Sequence, residues 1–540
     1  MKKISTILGI IFYLTISNLL FAQSSAINIS LTPINIENLG GRQSFAVGQA
    51  NGKWLIIGGR TDGLHRRQPF ASFDINGQPN ELLVIDPVSK QKWTANLSVL
   101  PIAIQEALKA TNIDFIQNNN QLYLIGGYGY SNTLADHTTF NTLTAIAVSE
   151  TIAAIISNSN FSNYFRQINN VIFQNTGGQL EKINDTYYLI GGQDFQGRYN
   201  PHGPTHGPGF TQIYSNQIRK FNIEDNGINL SINNIVIIND SINLHRRDYN
   251  ALPQILPNLN QGITAYSGVF QQNVDLPYLN SVTIDSLSHS TNNSFNQYYN
   301  HYHCANIPLY AASKNEMHAL FFGGIAQFYD SLGILVQDNN TPFVKTIARV
   351  TRDANGSMAE YKLPIEMPAF LGAGAEFIYN ENMPTYTNGV IKMDELSADS
   401  TVLGYIYGGI NSSAKNIFWI NNGSQSTSSA NIYKVTLHRN SLTGIDRLNN
   451  QSVGSINLMV YPNPNTGIFT ANYHLIKNTD VKITLRNVNG KIIEEQILLN
   501  QQKGAQVYER KIRHLENGGV YFINIKTAYE NVSQKIIIEP

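Results

Sequence analysis

An apolar run that stops on two glycines is written five times along this chain. The copies are "WLIIGG" at 54–59, "LYLIGG" at 122–127, "YYLIGG" at 187–192, "ALFFGG" at 319–324 and "GYIYGG" at 404–409. Short runs rich in β-branched and aromatic residues and bounded by glycine predict buried strands. The spacing from 191 to 323 is about twice those before it, and a degenerate copy fills the gap. It is "GITAYSGVF" at 262–270, with Ser267-Gly268 in place of the doublet. Each run is preceded by another apolar segment, such as "GRQSFAVGQ" (41–49), "ATNIDFIQ" (110–117) or "AGAEFIYN" (373–380). Polar turns such as "ANGK" and "INDT" join the two, which is hairpin chemistry. A third strand follows at a variable distance: "NELLVID", "NTLTAIAV", "NQIRKFNI", "YLNSVTID", "KTIARVT" and "ANIYKVTL". Further β segments trail it, as in "QKWTANL" and "MAEYKLP".

Four strands per unit, six times, predict an all-β chain folded as a six-bladed β-propeller. The doublets are read as structural, since glycine permits a sharp turn and close approach of a neighbouring backbone. The sixth unit lacks a clear fourth strand, and "INISLTPI" (27–34) supplies one. The expectation is one ring over 27–437, fastened by that N-terminal strand so that no sheet edge is left open. The repeated strand ending in Gly-Gly resembles kelch repeats over roughly residues 40–440, with longer units and with Trp93 at one of the family's aromatic positions.

The pattern changes after 440. Val481, Ile483 and Leu485 alternate with polar residues and Asn489-Gly490 marks a tight turn, so residues 458–540 predict a small β-sandwich. Tyr461-Pro462-Asn463-Pro464, Gly467, Asn489-Gly490-Lys491 and Gly518-Gly519-Val520-Tyr521 closely resemble the C-terminal sorting domain of the type IX secretion system of Bacteroidetes. That resemblance implies the secretion machinery as a partner, export across the outer membrane, and release or surface attachment. An ordinary adhesive sandwich is the other reading. At the opposite end, "MKK", the apolar stretch "ISTILGIIFYLTISNLLFA" and a small-residue site fit a signal peptide, 1–23. A membrane anchor is the alternative there. The expected order is therefore signal peptide 1–23, propeller 24–440, linker 441–457 and sorting domain 458–540, in a protein secreted or displayed on the outer surface by way of the periplasm.

Composition narrows the function classes. The chain of 540 residues carries 37 basic and 37 acidic side chains, so it has no global field for nucleic acid or an anionic membrane. No second run is long and apolar enough to span a bilayer. The one cysteine, Cys304, permits no intrachain disulfide.

Candidate chemistry sits in loops. "LHRR" occurs at 64–67 and again at 244–247, and arginine forks suit carboxylates or phosphates. Pairing between blades, for instance of Arg246 or Arg247 with Asp248, is the structural alternative. "QYYNHYHCAN" (297–306) holds His301, His303 and Cys304, which are ligand types for transition metals, and His202 and His206 lie in a Pro- and Gly-rich loop. These are read as hydrogen-bonding side chains, with no metal site assigned. Topology predicts that the loop after each doublet and the loop entering each first strand share one face. Arg66, His245, Arg246, His301 and His303 are accordingly nominated as ligand-binding residues at the channel mouth. No catalytic residue and no cofactor emerges. The expected function is a secreted recognition module for glycan or protein ligands. The alternative is a propeller enzyme acting on carbohydrates, like galactose oxidase, whose tyrosine–cysteine chemistry Tyr302 and Cys304 resemble, or like sialic-acid mutarotases.

Overall fold

A computed structural model of the chain describes residues 27–331, 334–396, 399–438, 456, 458–475, 477–488, 490–512, 518–528 and 531–539. The expected signal peptide lies outside these residues, as does the expected linker apart from Ile456.

Each sequence unit becomes an antiparallel sheet. Sheet I joins Ala46–Ala50, Lys53–Ile57, Glu81–Asp86 and Gln91–Asn96. Sheet II joins Asp114–Asn118, Gln121–Ile125, Thr142–Ala147 and Phe165–Asn169. Sheet III joins Gln179–Ile183, Thr186–Ile190, Gln217–Asp225 and Leu230–Asn239. Sheet IV joins Asn250–Ile255, Gln261–Tyr266, Ser281–Ile284 and His289–Asn292. Sheet V joins Asn306–Ala311, Glu316–Phe322, Thr346–Arg352 and Met358–Glu366, with Ile391–Lys392 added in parallel beside its first strand. Sheet VI joins Ala375–Tyr379, Ser400–Gly408, Ile432–His438 and, from the other end of the chain, Asn28–Ile34. Leu31 stands opposite Val435, and Ile29 is buried in the core of that sheet. The N-terminal strand thus takes the fourth place that the sixth unit left open.

The first strands are neighbours in order, I to VI, and that of sheet VI lies beside that of sheet I. The arrangement is an all-β, propeller-like fold. Apolar side chains fill the spaces between sheets: Leu55, Ile57, Leu122 and Leu124 share one cluster, and Tyr188, Ile190, Ile263 and Val282 another.

The doublets now have a physical explanation. Both residues of every pair, Ser267-Gly268 included, adopt positive φ. In five sheets the second glycine donates its N–H to a carbonyl of the segment leading into the next sheet. Gly59 bonds Ala110 at 2.8 Å, Gly127 bonds Asn175 at 2.9 Å, Gly192 bonds Arg246 at 2.7 Å, Gly324 bonds Leu371 at 2.8 Å and Gly409 bonds Arg42 at 2.8 Å. The first glycine faces the same carbonyl. A Cβ at Gly126 would stand 1.9 Å from the Asn175 oxygen. The doublet is therefore a clasp between consecutive sheets, and the Gly409–Arg42 clasp joins the last to the first.

Two elements escaped the strand pattern. Ile102–Leu108 and Val148–Ile156 are helices, the second burying Val148, Ile152 and Ile155 against sheets I and II. The loop containing "QDFQGRYN" is also more ordered than its composition suggests, since Gln193–Gly197 pairs with Phe210–Tyr214 as a hairpin.

The tail forms two sheets. One has Met459–Tyr461, Ile468–Leu475 and Gly504–Lys511. The other has Ile492–Gln501, Thr479–Asn487, Gly519–Lys526 and Asn531–Ile538. Val481, Ile483, Leu485, Ile523 and Ile525 meet Phe469, Ala471 and Tyr473 in a core made of tail residues alone. The Pro-Asn-Pro segment is tied to the last strand: Asn463 Nδ2 donates to the Lys535 carbonyl at 2.9 Å, and Ile537 N–H donates to Asn463 Oδ1 at 2.8 Å. Gly467, at φ +85°, donates to Asn465 Oδ1 at 2.8 Å. Among the described residues no helix is long and apolar enough to cross a membrane.

Candidate functional site

The first strands of all six sheets surround a cavity of about 500 Å³. Antiparallel pairing carries each first strand from the clasp end of its sheet toward the opposite end. Residues early in these strands therefore line one end of the cavity, and later ones the other.

At the clasp end stand Asp114, Gln179, Asn306, Glu376 and His303. His303 is held by its backbone, donating to the Asp248 carbonyl and accepting from Gly374 N–H, both at 2.9 Å. Its Nδ1 lies 3.2 Å from Gln179 Nε2, an amide donor, which leaves the ring proton on Nε2, 2.9 Å from Glu376 Oε1. Burial lowers the affinity of this ring for a proton, but the Glu376 carboxylate more than reverses that and the pKa is raised. Asp114 accepts from Asn175 Nδ2 at 2.6 Å, and burial pushes its carboxyl up to about 7 against that bond and the field of Arg219.

Deeper in the cavity Glu181 and Tyr379 face the same space. Burial alone pushes the Glu181 carboxyl up to about 8. Burial also raises the Tyr379 hydroxyl, and Glu181 adds to the effect, which puts the two groups within electrostatic reach of each other. The segment from Thr385 to Gly389 contributes to the lining, tied down by Gln261 to Thr387 Oγ1 at 2.6 Å and Asn388 to the Gln254 carbonyl at 3.0 Å.

Of the five residues nominated from the sequence, His303 alone lines this cavity. Arg66 is exposed and lies against Gly423. His245 stacks on Tyr214, with centroids 3.8 Å apart, and its Nδ1 is 2.8 Å from Asn216 Oδ1. Arg246 is 1% exposed, so it offers no fork to a ligand. It donates to the carbonyls of Asn243 (2.6 Å), Ser267 (2.5 Å) and Asn280 (3.1 Å) and to Asn280 Oδ1 (2.5 Å), with its guanidinium 4.0 Å from the Tyr278 ring centre. His301 is fully buried, with Nε2 2.9 Å from the Gln297 carbonyl and Nδ1 accepting from Gln327 N–H at 3.0 Å. Burial lowers its pKa to about 4, so the ring is neutral. The other four lie outside the lining of the cavity. The expected pairing with Asp248 is made by Arg247, whose Nε also donates to the Tyr214 hydroxyl at 3.0 Å.

The Tyr302–Cys304 resemblance finds no chemistry here. Cys304 is buried in an apolar cluster, and burial pushes its thiol up to about 12. Among the described residues no three His, Cys, Asp or Glu side chains are grouped as a metal site requires.

Sequence reasoning looked to loops and missed Asp114, Glu181 and Glu376. The available signal was a carboxylate within a first strand, as in "DFIQN", "QLEKI" and "AEFIY".

Comparison with known proteins bears chiefly on the tail. Residues 459–539 match the family described as the secretion system C-terminal sorting domain. This supports a type IX sorting tail, dealings with that machinery, and secretion or cell-surface export. No curated protein matches the chain. Among solved structures, that of YjhT covers 74% of this chain and 97% of its own at 11% identity, with a TM-score of 0.40. A glycoside hydrolase family 43 arabinoxylan arabinofuranohydrolase from Bacillus subtilis, in complex with cellotetraose, covers 93% of this chain and 96% of its own at 10% identity, with a TM-score of 0.26. At these scores neither likeness carries weight, and the architecture rests on the strand pairing above.

Proposed function

We propose that residues 24–440 form a six-bladed kelch-like β-propeller and that 458–540 are its type IX sorting domain. Residues 1–23 are then a cleaved signal peptide and 441–457 a linker. The exported propeller is a recognition module that takes a glycan, or a small polyhydroxy part of one, into its central cavity. The observation that carries this reading is a cavity of about 500 Å³ walled by the first strands of all six sheets. That volume suits a small molecule or a sugar unit rather than a protein surface. Gln179, Asn306 and His303–Glu376 supply fixed polar groups along an otherwise partly apolar wall that includes Phe115 and Phe377. Of the residues nominated from sequence, His303 is the one retained.

The enzyme alternative draws on the same place. Asp114 and Glu181, with pKa values near 7 and 8, would be protonated carboxyls beside a bound sugar, which is how a general acid is poised.

Gln49→Trp tests the recognition reading. Gln49 lines the cavity and is held through its backbone, by Gln117, so the indole fills space without removing that tie. Titration of the mature chain against glucose and larger neutral glycans should show binding that this variant loses, with its melting temperature kept. Equal binding by both proteins would exclude the cavity as the site. Release of a chemically changed sugar by the wild type would favour the enzyme.

A further inference from the structure

Most polar groups on the cavity wall are already satisfied by protein. Gln117 bridges to Gln49 and Asn119, Asn118 donates to the Tyr187 hydroxyl, and Glu381 accepts from Gly52 N–H. His303 pairs with Glu376, and Asp114 is held by Asn175. Lys182, next in sequence to Glu181, turns away: its ammonium lies 3.6 Å from Asp185 and over the Tyr187 ring. Among the groups outside this network are three that line the cavity. Among the described residues no hydrogen bond or ion pair holds the carboxylate of Glu181 or the hydroxyl of Tyr379, and the buried Oδ1 of Asn388 has no partner.

The amide oxygen is an acceptor only; the Glu181 carboxyl, protonated at neutral pH, becomes acceptor-only once it ionises, and the Tyr379 hydroxyl can accept as well as donate. No cation on the wall answers Glu181. Of the three, Asn388 Oδ1 is a buried acceptor without a partner, which is costly, and a ligand that supplies donors recovers that cost; Glu181 and Tyr379 are half-buried and open to the cavity. An ammonium group carries three donors and the complementary charge, and aromatic walls such as Phe115, Phe377 and Tyr379 favour a cation near them.

We infer that the cavity recognises an amine-bearing ligand of sugar size, an amino sugar, whose ammonium group is held by the carboxylate of Glu181 with the Tyr379 hydroxyl and Asn388 Oδ1. This rests on the recognition reading above and names its ligand class. Binding has a proton balance. At neutral pH the Glu181 carboxyl is largely protonated, so seating an ammonium there ionises it and sends its proton to the buffer, while the amine keeps its own.

The test is calorimetric titration of the mature full chain with glucosamine and with glucose at pH 7, in two buffers of different ionisation enthalpy. Glucosamine should bind about tenfold or more tightly than glucose, as one charge-assisted hydrogen bond set would give. Its binding should release close to one proton. Glu181→Gln should abolish both the preference and the proton release while the variant melts no lower than wild type. Should that variant fail to fold, Tyr379→Phe reads the same contact and should reduce the preference severalfold. Equal binding of the two sugars would overturn the amine assignment and leave the recognition reading standing. Binding of neither would overturn both. A glucosamine preference that survives Glu181→Gln would overturn the placement of the ammonium group.

Discussion

Replacing Arg246 with alanine should unfold a joint between sheets rather than empty a binding site. The side chain reaches four acceptors on three residues, and its own carbonyl receives the clasp from Gly192. Alanine removes the guanidinium and its stacking on Tyr278, and leaves the carbonyls of Asn243, Ser267 and Asn280 short of donors in a buried place. Hydrogen bonds to a charged group are each worth about 1.5–3 kcal/mol, but these four share one side chain and do not add. Breaking a buried charged network by removing one partner typically costs 3–5 kcal/mol, so about 4 kcal/mol is expected. For the roughly 400 residues that hold the six sheets, the unfolding entropy near the midpoint is about 0.85 kcal/mol per degree, so Tm should drop by about 5 °C. Scanning calorimetry of the mature protein reads this directly. Arg246→Lys, which keeps the charge but loses the fork, should fall between alanine and wild type. A variant that melts within about 1 °C of wild type would refute the reasoning, since changes that small belong to surface positions. Loss of ligand capture at unchanged Tm would return Arg246 to the binding site.

Two further outcomes follow from the same structure. Asp114, Glu181 and Glu360 all have folded-state pKa values raised by burial, to about 7, 8 and 8, so the folded chain holds protons there that the unfolded chain has released. Stability should therefore fall as pH rises from 6.5 to 8.5, measured as a lower urea midpoint. Below 6.5 the trend is opposed, because His65 and His301 stay neutral in the fold down to about 4. A midpoint that is flat or rising above pH 6.5 contradicts the assignment. Secondly, a chain cut after residue 455 should melt as the six sheets of the full chain do, because the tail's core contains only residues from 456 onward, yet fail to leave the cell in a host with the secretion system. Export of that truncation would overturn the sorting reading.

The strands were legible because a strand buried on both faces leaves a continuous apolar run, and the clasp demands glycine where a neighbouring carbonyl comes within 1.9 Å of a would-be Cβ. Ser267 shows the rule's tolerance: it keeps the positive φ, and its Oγ bonds the Tyr278 carbonyl at 2.7 Å. The site was less legible. The two "LHRR" copies look equivalent, but 64–67 follows a doublet within sheet I whereas 244–247 links sheet III to sheet IV. Identical letters therefore met different surroundings: Arg66 in solvent, Arg246 in the core. Which side chains face the cavity depends on how six strands meet, and no single stretch of sequence encodes that. The helix Val148–Ile156 was hidden for a related reason, since it continues directly from the strand Thr142–Ala147 and prolongs its apolar run.

The strand that fastens sheet VI is the first described part of the chain, and its partner Ile432–His438 comes some 400 residues later. During synthesis it emerges before every other strand of the described residues and waits longest for its partner. Joining ends so far apart costs little more entropy than joining ends half as far, since the cost grows only with the logarithm of the loop. The delay is kinetic: the five sheets between can pair locally, but sheet VI stays incomplete until its last strand arrives. An interrupted chain is then left with an unlatched N-terminal strand and an uncovered sheet edge, a species that quality-control proteases can distinguish from the finished fold. With the latch in place, the strands Asn28–Ile34 and Ile432–His438 hold each other in one sheet, so fraying of either must first break the latch.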